Sequence, residues 1–224
     1  MEVRRLTTGR VRPKRARRGL RRWLPGGWSG ETLPVNAFLV DHPAGRCLFD
    51  TGQSARAARS GYLPRWHPFL RLARFELTEQ DEVGAQVDPV TVRWVVLSHL
   101  HTDHAGGLEP FRGAEVLVSR TEWERARGLA GRLRGYLPQR WPEGIEPRLV
   151  DFDGPPVGPF AASYDVAGDG RLLLVPVPWH TPGHLGLLVR GERGGYLLGG
   201  DVEPSEPLAS YCAHEGLVYL WAHG

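Results

Sequence analysis

Three apolar, strand-like runs in this 224-residue chain each stop at histidine or aspartate: VRWVVL runs into SHLHTDHAGG, RLLLVPVP into WHTPGH, and YLLGG into Asp201. Three of the chain's nine histidines fall within six residues, at the first of these strand ends. That cluster constrains the fold more than any other feature. On a helix His99 and His101 would point roughly 200° apart, whereas on a strand breaking into a loop side chains i and i+2 share a face. Asp103 and His104 follow across the turn, in a helix opened by the small Ala105-Gly106-Gly107, and can serve a second position. Imidazole plus carboxylate suits zinc and related borderline cations better than calcium or magnesium. His180 or His184 and then Asp201 arrive at the ends of two further strands, as layered folds assemble a site from distant sequence.

The segments between these runs fit such a fold. VNAFLVDHPAGRCLFDTG predicts two strands joined by a turn at residues 42–45, with Val35, Ala37 and Leu39 on one face. TEQDEVGAQV predicts a helix capped by Thr78, with Glu79, Asp81 and Glu82 in its first turn. AEVLVS predicts a strand, and SRTEWERARGLAGRL a helix capped by Ser119 or Thr121. Residues 136–159 are rich in Pro and Gly and favour no single assignment. HLGLLVRG and GGYLLGGD predict another strand pair, and the prolines at 176 and 178 end the strand before it. Strands outnumber helices and no repeat is present. That pattern predicts an α/β or α+β layered domain, and the length fits one domain over residues 1–224.

Composition narrows the function classes. The longest apolar runs are far too short to span a bilayer, and no signal-peptide-type segment follows the basic N-terminus, so the expected location is the cytoplasm. Cys47 and Cys212 form no CxxC pair or disulfide framework and are expected as inert buried thiols. Residues 1–22 hold ten of the 28 Lys and Arg and one acid, leaving 18 basic against 24 acidic groups elsewhere. The run RPKRARRGLRR could attract nucleic acid or anionic lipid. However, it lacks the interleaved aromatics of single-strand binders, with only Trp23 nearby, and is read as a solvated connection between two strands.

In this order and at these distances, HLHTDH, HTPGH and GGD resemble the metallo-β-lactamase superfamily of metal-dependent hydrolases, as do the opening strands and LFDTG at 48–52. The resemblance implies an α+β αββα sandwich with two zinc ions, or other divalent transition metals, at one edge of the sheets. Carried over by motif, His99, His101 and His180 would hold the first ion, Asp103 and His104 the second, and Asp201 would bridge both. His184 would lie beside the ligands, with its role exchangeable with that of His180, and Asp50 would orient a ligand imidazole. The superfamily's last ligand follows a final strand some forty residues beyond the bridging aspartate, but this chain ends 23 residues after Asp201. His223 in LVYLWAHG fits that setting, with His214 its rival, and the intervening helix is expected shortened or missing.

Two adjacent cations acidify a shared water for attack on an ester, lactone, thioester or amide carbonyl. Asp103 would then be the catalytic proton shuttle as well as a ligand. NAFLVDHPAGRCLFDTGQS and SHLHTDHAGG are most similar to the N-acyl homoserine lactonase branch, which implies lactone opening. Pro204 departs from that branch, which commonly has tyrosine three residues after the bridging aspartate. Trp66, Trp123, Trp141 and Trp179 could line an acyl pocket, Trp179 being nearest a ligand in sequence. A glyoxalase II-like thioester hydrolase and a metal-binding homologue of impaired catalysis are the competing readings. The expected partner is a small lactone or ester, and a homodimer is compatible with the sequence.

Overall fold

The computed structural model describes residues 1–16, 25–62, 73–192 and 194–224. The connection at 17–24, with most of the basic run and Trp23, and the segment at 63–72, with Trp66, lie outside the described residues. The strands flanking 17–24, β1 (Val3–Ala16) and β2 (Pro25–Trp28), pair antiparallel.

The first sheet grows from β1 in both directions. β1 also pairs with β3 (Leu33–Val40) and β5 (Ala73–Glu76), and β3 forms the expected hairpin with β4 (Arg46–Phe49). Its turn closes through the Gly45 N–H on the His42 carbonyl, 2.9 Å. Beyond β4 the sheet is parallel, through β6 (Val92–Val96), β7 (Glu115–Ser119) and β8 (Arg148–Val150). Parallel strands need crossovers, and three are helical. α1 (Val83–Gln86) precedes β6, α2 (Thr102–Ala105) precedes β7, and α3 (Arg120–Ala126) with α4 (Gly128–Leu133) precede β8. The second sheet runs β13 (Leu217–Leu220), β12 (Gly194–Leu198), β11 (Leu185–Gly191), β10 (Leu172–Pro176), β9 (Tyr164–Asp165). α5 (Glu206–Glu215) joins β12 to β13, which pair in parallel.

Period-two alternation shows why these sheets stack. On β3, Ala37 and Leu39 join a core with Val83, Ala105, Phe111 and Ala126 from the helices and turns. The intervening Phe38 and Val40 join a core with Leu174, Leu187 and Leu198 of the second sheet. On β10, Leu173 and Val175 face away from that interface and pack with Leu208 and Cys212 of α5. The order is therefore helices, sheet, sheet, helix: an αββα sandwich. β10, β12 and β13 run in one direction, and their C-terminal ends meet that of β6 where the sheets touch. There the Leu185 N–H donates to the Ser98 carbonyl at 3.0 Å.

Several local expectations fail for identifiable reasons. The helix expected over TEQDEVGAQV is only α1, because the Asp81 carboxylate accepts both the N–H (2.6 Å) and the hydroxyl (2.8 Å) of Thr78 and closes a separate turn. Glu82 is likewise diverted to the Ala55 N–H at 2.6 Å. The expected single helix after Ser119 breaks at extended Arg127 and at Gly128, φ +69. Ser119, not Thr121, caps it, accepting from the Glu122 N–H. Gly106 and Gly107 follow α2 rather than open it. A Cβ at Gly107 would collide with the Thr51 carbonyl, so the glycine permits that loop to lie against the helix. The helix after Asp201, expected shortened or missing, is present as the ten-residue α5, within the first of those two expectations. No helix among the described residues is long and apolar enough to cross a membrane.

Candidate metal centre

Five segments deliver side chains to the shared strand-end edge. The loop after β6 carries Ser98, His99 and His101, and α2 carries Asp103 and His104. The loop after β10 supplies His180, the turn after β12 supplies Asp201, and the turn after β13 supplies His223. Their ligand atoms fall into three overlapping sets: His99, His101 and His180; His99, His104 and Asp201; Asp103, His104 and His223. Within each set the atoms lie within 4.8 Å of one another. His101 Nδ1 is 3.0 Å from His99 Nε2 and 3.1 Å from His180 Nε2. Asp201 stands between the groups, with Oδ1 3.0 Å from both His104 Nε2 and His223 Nε2, and Oδ2 3.4 Å from His180 Nε2.

One carboxylate fixes how two of these rings face the centre. Asp50 Oδ2 accepts from the Ser98 hydroxyl at 2.8 Å and from His104 Nδ1 at 2.9 Å, while its Oδ1 accepts from the Ser98 N–H at 2.7 Å. A carboxylate only accepts, so His104 Nδ1 carries a proton, and in the neutral ring Nε2 is the bare nitrogen. The Ser98 proton is spent on Asp50, so Ser98 Oγ accepts from His99 Nδ1 at 3.0 Å, and His99 Nε2 is bare as well. Asp50 holds this position at φ +62, a left-handed conformation that Asp tolerates better than most residues. The loop stays there because the Thr51 N–H and hydroxyl both donate to the His104 carbonyl, at 2.7 and 2.8 Å.

A cation fits between these groups. His104 Nε2 and Asp201 Oδ1 are both buried and 3.0 Å apart, yet neither has a partner of hydrogen-bonding geometry. Two such atoms converge on a common point rather than on each other, and the nitrogen and oxygen donors suit zinc. The electrostatics agree. Burial alone would lower His104, but the Asp201 and Asp50 carboxylates outweigh it and hold the imidazole well above its ordinary value. Burial would likewise raise Asp201, but the charge of His104 holds it well below the usual carboxylate range. His99 is pressed far down by burial and by neighbouring His104 and His101, leaving it neutral.

The structure brings together all seven residues expected as ligands. It favours His180 over His184: His184 is buried and held at about 3 chiefly by that burial, and its Nε2 accepts from the Asp201 N–H at 3.2 Å. It favours His223 over His214: the His223 Nδ1 donates to the Pro34 carbonyl at 2.7 Å, turning Nε2 to Asp201, whereas His214 is exposed on α5. Trp123 and Trp141 stack at 4.9 Å against the helix-side core rather than line an acyl pocket. Trp179, beside His180, is 60% exposed. Both cysteines are buried and free. Sequence reading misses Ser98, the relay between Asp50 and His99, whose only signal is its place directly before the cluster. It also misses Glu122, which in sequence shows only as the last residue of an S-x-x-E cap.

The family model described as the metallo-beta-lactamase superfamily matches residues 30–211. The chain belongs to that superfamily. Among its curated members, the N-acyl homoserine lactonase AttM of Azorhizobium caulinodans is 32% identical over 188 residues, 77% of this chain. AttM of Agrobacterium fabrum is 33% identical over 180 residues, 74% of this chain. These matches span 66% and 63% of the relatives' own lengths, just under two thirds. A solved structure, an N-acyl homoserine lactone hydrolase with the product N-hexanoyl-L-homoserine bound at its catalytic metal centre, superposes with a TM-score of 0.74. It covers 99% of this chain and 92% of that one at 22% identity, a likeness of fold.

Proposed function

We propose that this chain hydrolyses lactones or related esters, with N-acyl homoserine lactones as the substrate class, at a two-zinc centre. The observation that carries the proposal is the convergence of His99, His101 and His180 on one side of Asp201, and of Asp103, His104 and His223 on the other. The AttM relatives, named as N-acyl homoserine lactonases, support the substrate class. Zinc held there would supply Lewis acidity toward the substrate carbonyl and a water acidified toward neutral pH.

The chain's own residues do the rest. Asp201 contributes one oxygen to each side and so sets their spacing. Asp50, through Ser98 and His104, keeps the far nitrogens protonated and the near ones free to ligate. Asp103, partly exposed on α2, offers a carboxylate that can pass a proton to the alkoxide released when the ring opens. Exposed Trp179, next to His180, offers an apolar surface at the mouth of the site for an acyl chain. The test is ring opening across a panel of lactones, thioesters and phosphodiesters, followed by proton release, with His101→Ala as control. Lactone turnover lost in that variant supports the proposal; full activity in His101→Ala refutes the site, and turnover of thioesters alone redirects the substrate class.

A further inference from the structure

One buried carboxylate outside the candidate ligands binds both loops that carry the first histidine group. Glu122, in the first turn of α3, is 0% exposed. Its Oε1 accepts from the Leu100 N–H at 3.1 Å, the residue between His99 and His101. Its Oε2 accepts from the Thr181 hydroxyl at 2.7 Å, the residue directly after His180. The Tyr136 ring lies 5.0 Å from that of His101. The end of the same helix is tied down independently. The Ser119 hydroxyl donates to the Gly183 carbonyl at 2.5 Å and accepts from the Glu122 N–H at 3.1 Å. Gly183 lies so close that a Cβ there would collide with the Glu122 backbone.

Burying a carboxylate is costly unless several donors satisfy it. Helix capping does not require it, because Ser119 already caps α3. What this carboxylate adds is a bridge between two segments 80 residues apart, with one oxygen on each. We infer that Glu122 is a positioning residue that sets the span between His99 and His101 on one loop and His180 on the other, fixing that half of the centre before any metal arrives. Preorganisation of this kind raises metal affinity because less ordering remains to be done on binding. The inference rests on the proposed metal centre.

The test measures zinc affinity by competition with a chromophoric chelator, the visible spectrum with cobalt(II), and the urea midpoint of the metal-free chain. The proteins are full-length wild type, Glu122→Ala, Glu122→Gln and Thr181→Val. In Glu122→Ala zinc affinity is expected to fall about tenfold or more, with altered cobalt bands, as for other residues that hold ligands in place. Thr181→Val, which keeps the side-chain shape, should lose severalfold and serves should the alanine variant not fold. Glu122→Gln should recover to within about threefold, since its amide oxygen can accept from Leu100 and its amide nitrogen can donate to Thr181. Variants that lower the urea midpoint but keep wild-type zinc affinity and cobalt bands would reduce Glu122 to a structural group and overturn the inference. A wild-type chain that holds no zinc would instead refute the centre itself, and the clasp with it.

Discussion

Replacing Asp50 with Asn tests the logic of the centre without touching a ligand. The carboxylate accepts three bonds, from the Ser98 N–H, the Ser98 hydroxyl and His104 Nδ1, and an amide can accept on one side only. If the amide oxygen keeps the Ser98 N–H, the NH2 faces the Ser98 hydroxyl and His104 Nδ1. Each must then accept, so the His104 proton moves to Nε2, the atom that faces Asp201. If the amide flips, the buried Ser98 N–H is left opposite a donor. A buried hydrogen bond to a charged group contributes about 1.5–3 kcal/mol. Forcing the wrong tautomer forfeits one such contribution, which corresponds to a loss of about tenfold to a hundredfold in zinc affinity. Chelator competition on Asp50→Asn, with urea unfolding of the metal-free protein alongside, reads this directly. Zinc affinity within twofold of wild type in a folded variant would show that Asp50 does not set the tautomer and would refute the reasoning.

Other outcomes follow from the same geometry. His223→Ala should lower bound zinc from about two to about one per chain by elemental analysis, while His214→Ala leaves it unchanged; the reverse result would move the last ligand to α5. Burial pushes the Cys47 thiol from 9.0 up to about 12, so between those values the folded chain keeps a proton that the unfolded chain loses. Its contribution to stability is whole below pH 9 and declines as pH rises through that window, by about 2 kcal/mol at pH 10.5. Cys47→Val should lose less stability than wild type between pH 9 and 10.5 in urea titrations, and equal losses would contradict the assignment. Leu174→Ala, fully buried between the sheets, should destabilise by about 2–5 kcal/mol in the same assay, and a cost below 1 kcal/mol would mean that the sheet interface is looser than described.

What sequence reveals here depends on how local the determining physics is. The HLHTDH cluster is legible because strand periodicity and ligand chemistry act within six residues. The hairpin at 33–49 is legible because alternation and its turn lie within one short segment. The helix over 78–87 is not, because Glu82 is drawn away by three-dimensional neighbours, Ser54 and Ala55, while the local Asp81–Thr78 bonds would equally suit the start of a helix. The interruption at Arg127-Gly128 has a visible marker in Gly128, but an isolated glycine is also tolerated inside helices. At the site, strand ends announce His99, His101 and Asp201, and sequence leaves His180 against His184 and His223 against His214 open. Packing separates them, since His184 turns to the Asp201 backbone and His214 to solvent. Glu122 is invisible for the same reason: its partners are the Leu100 N–H and Thr181, brought to it only by the stacking of two sheets.

Diffraction from zinc-soaked crystals, recorded at the zinc absorption edge, addresses the centre most directly. Two anomalous peaks should appear on either side of Asp201, about 3.5–4 Å apart, one against His99, His101 and His180 and the other against Asp103, His104 and His223. An anomalous map empty at Asp201, or with zinc held only by other side chains, would contradict the account.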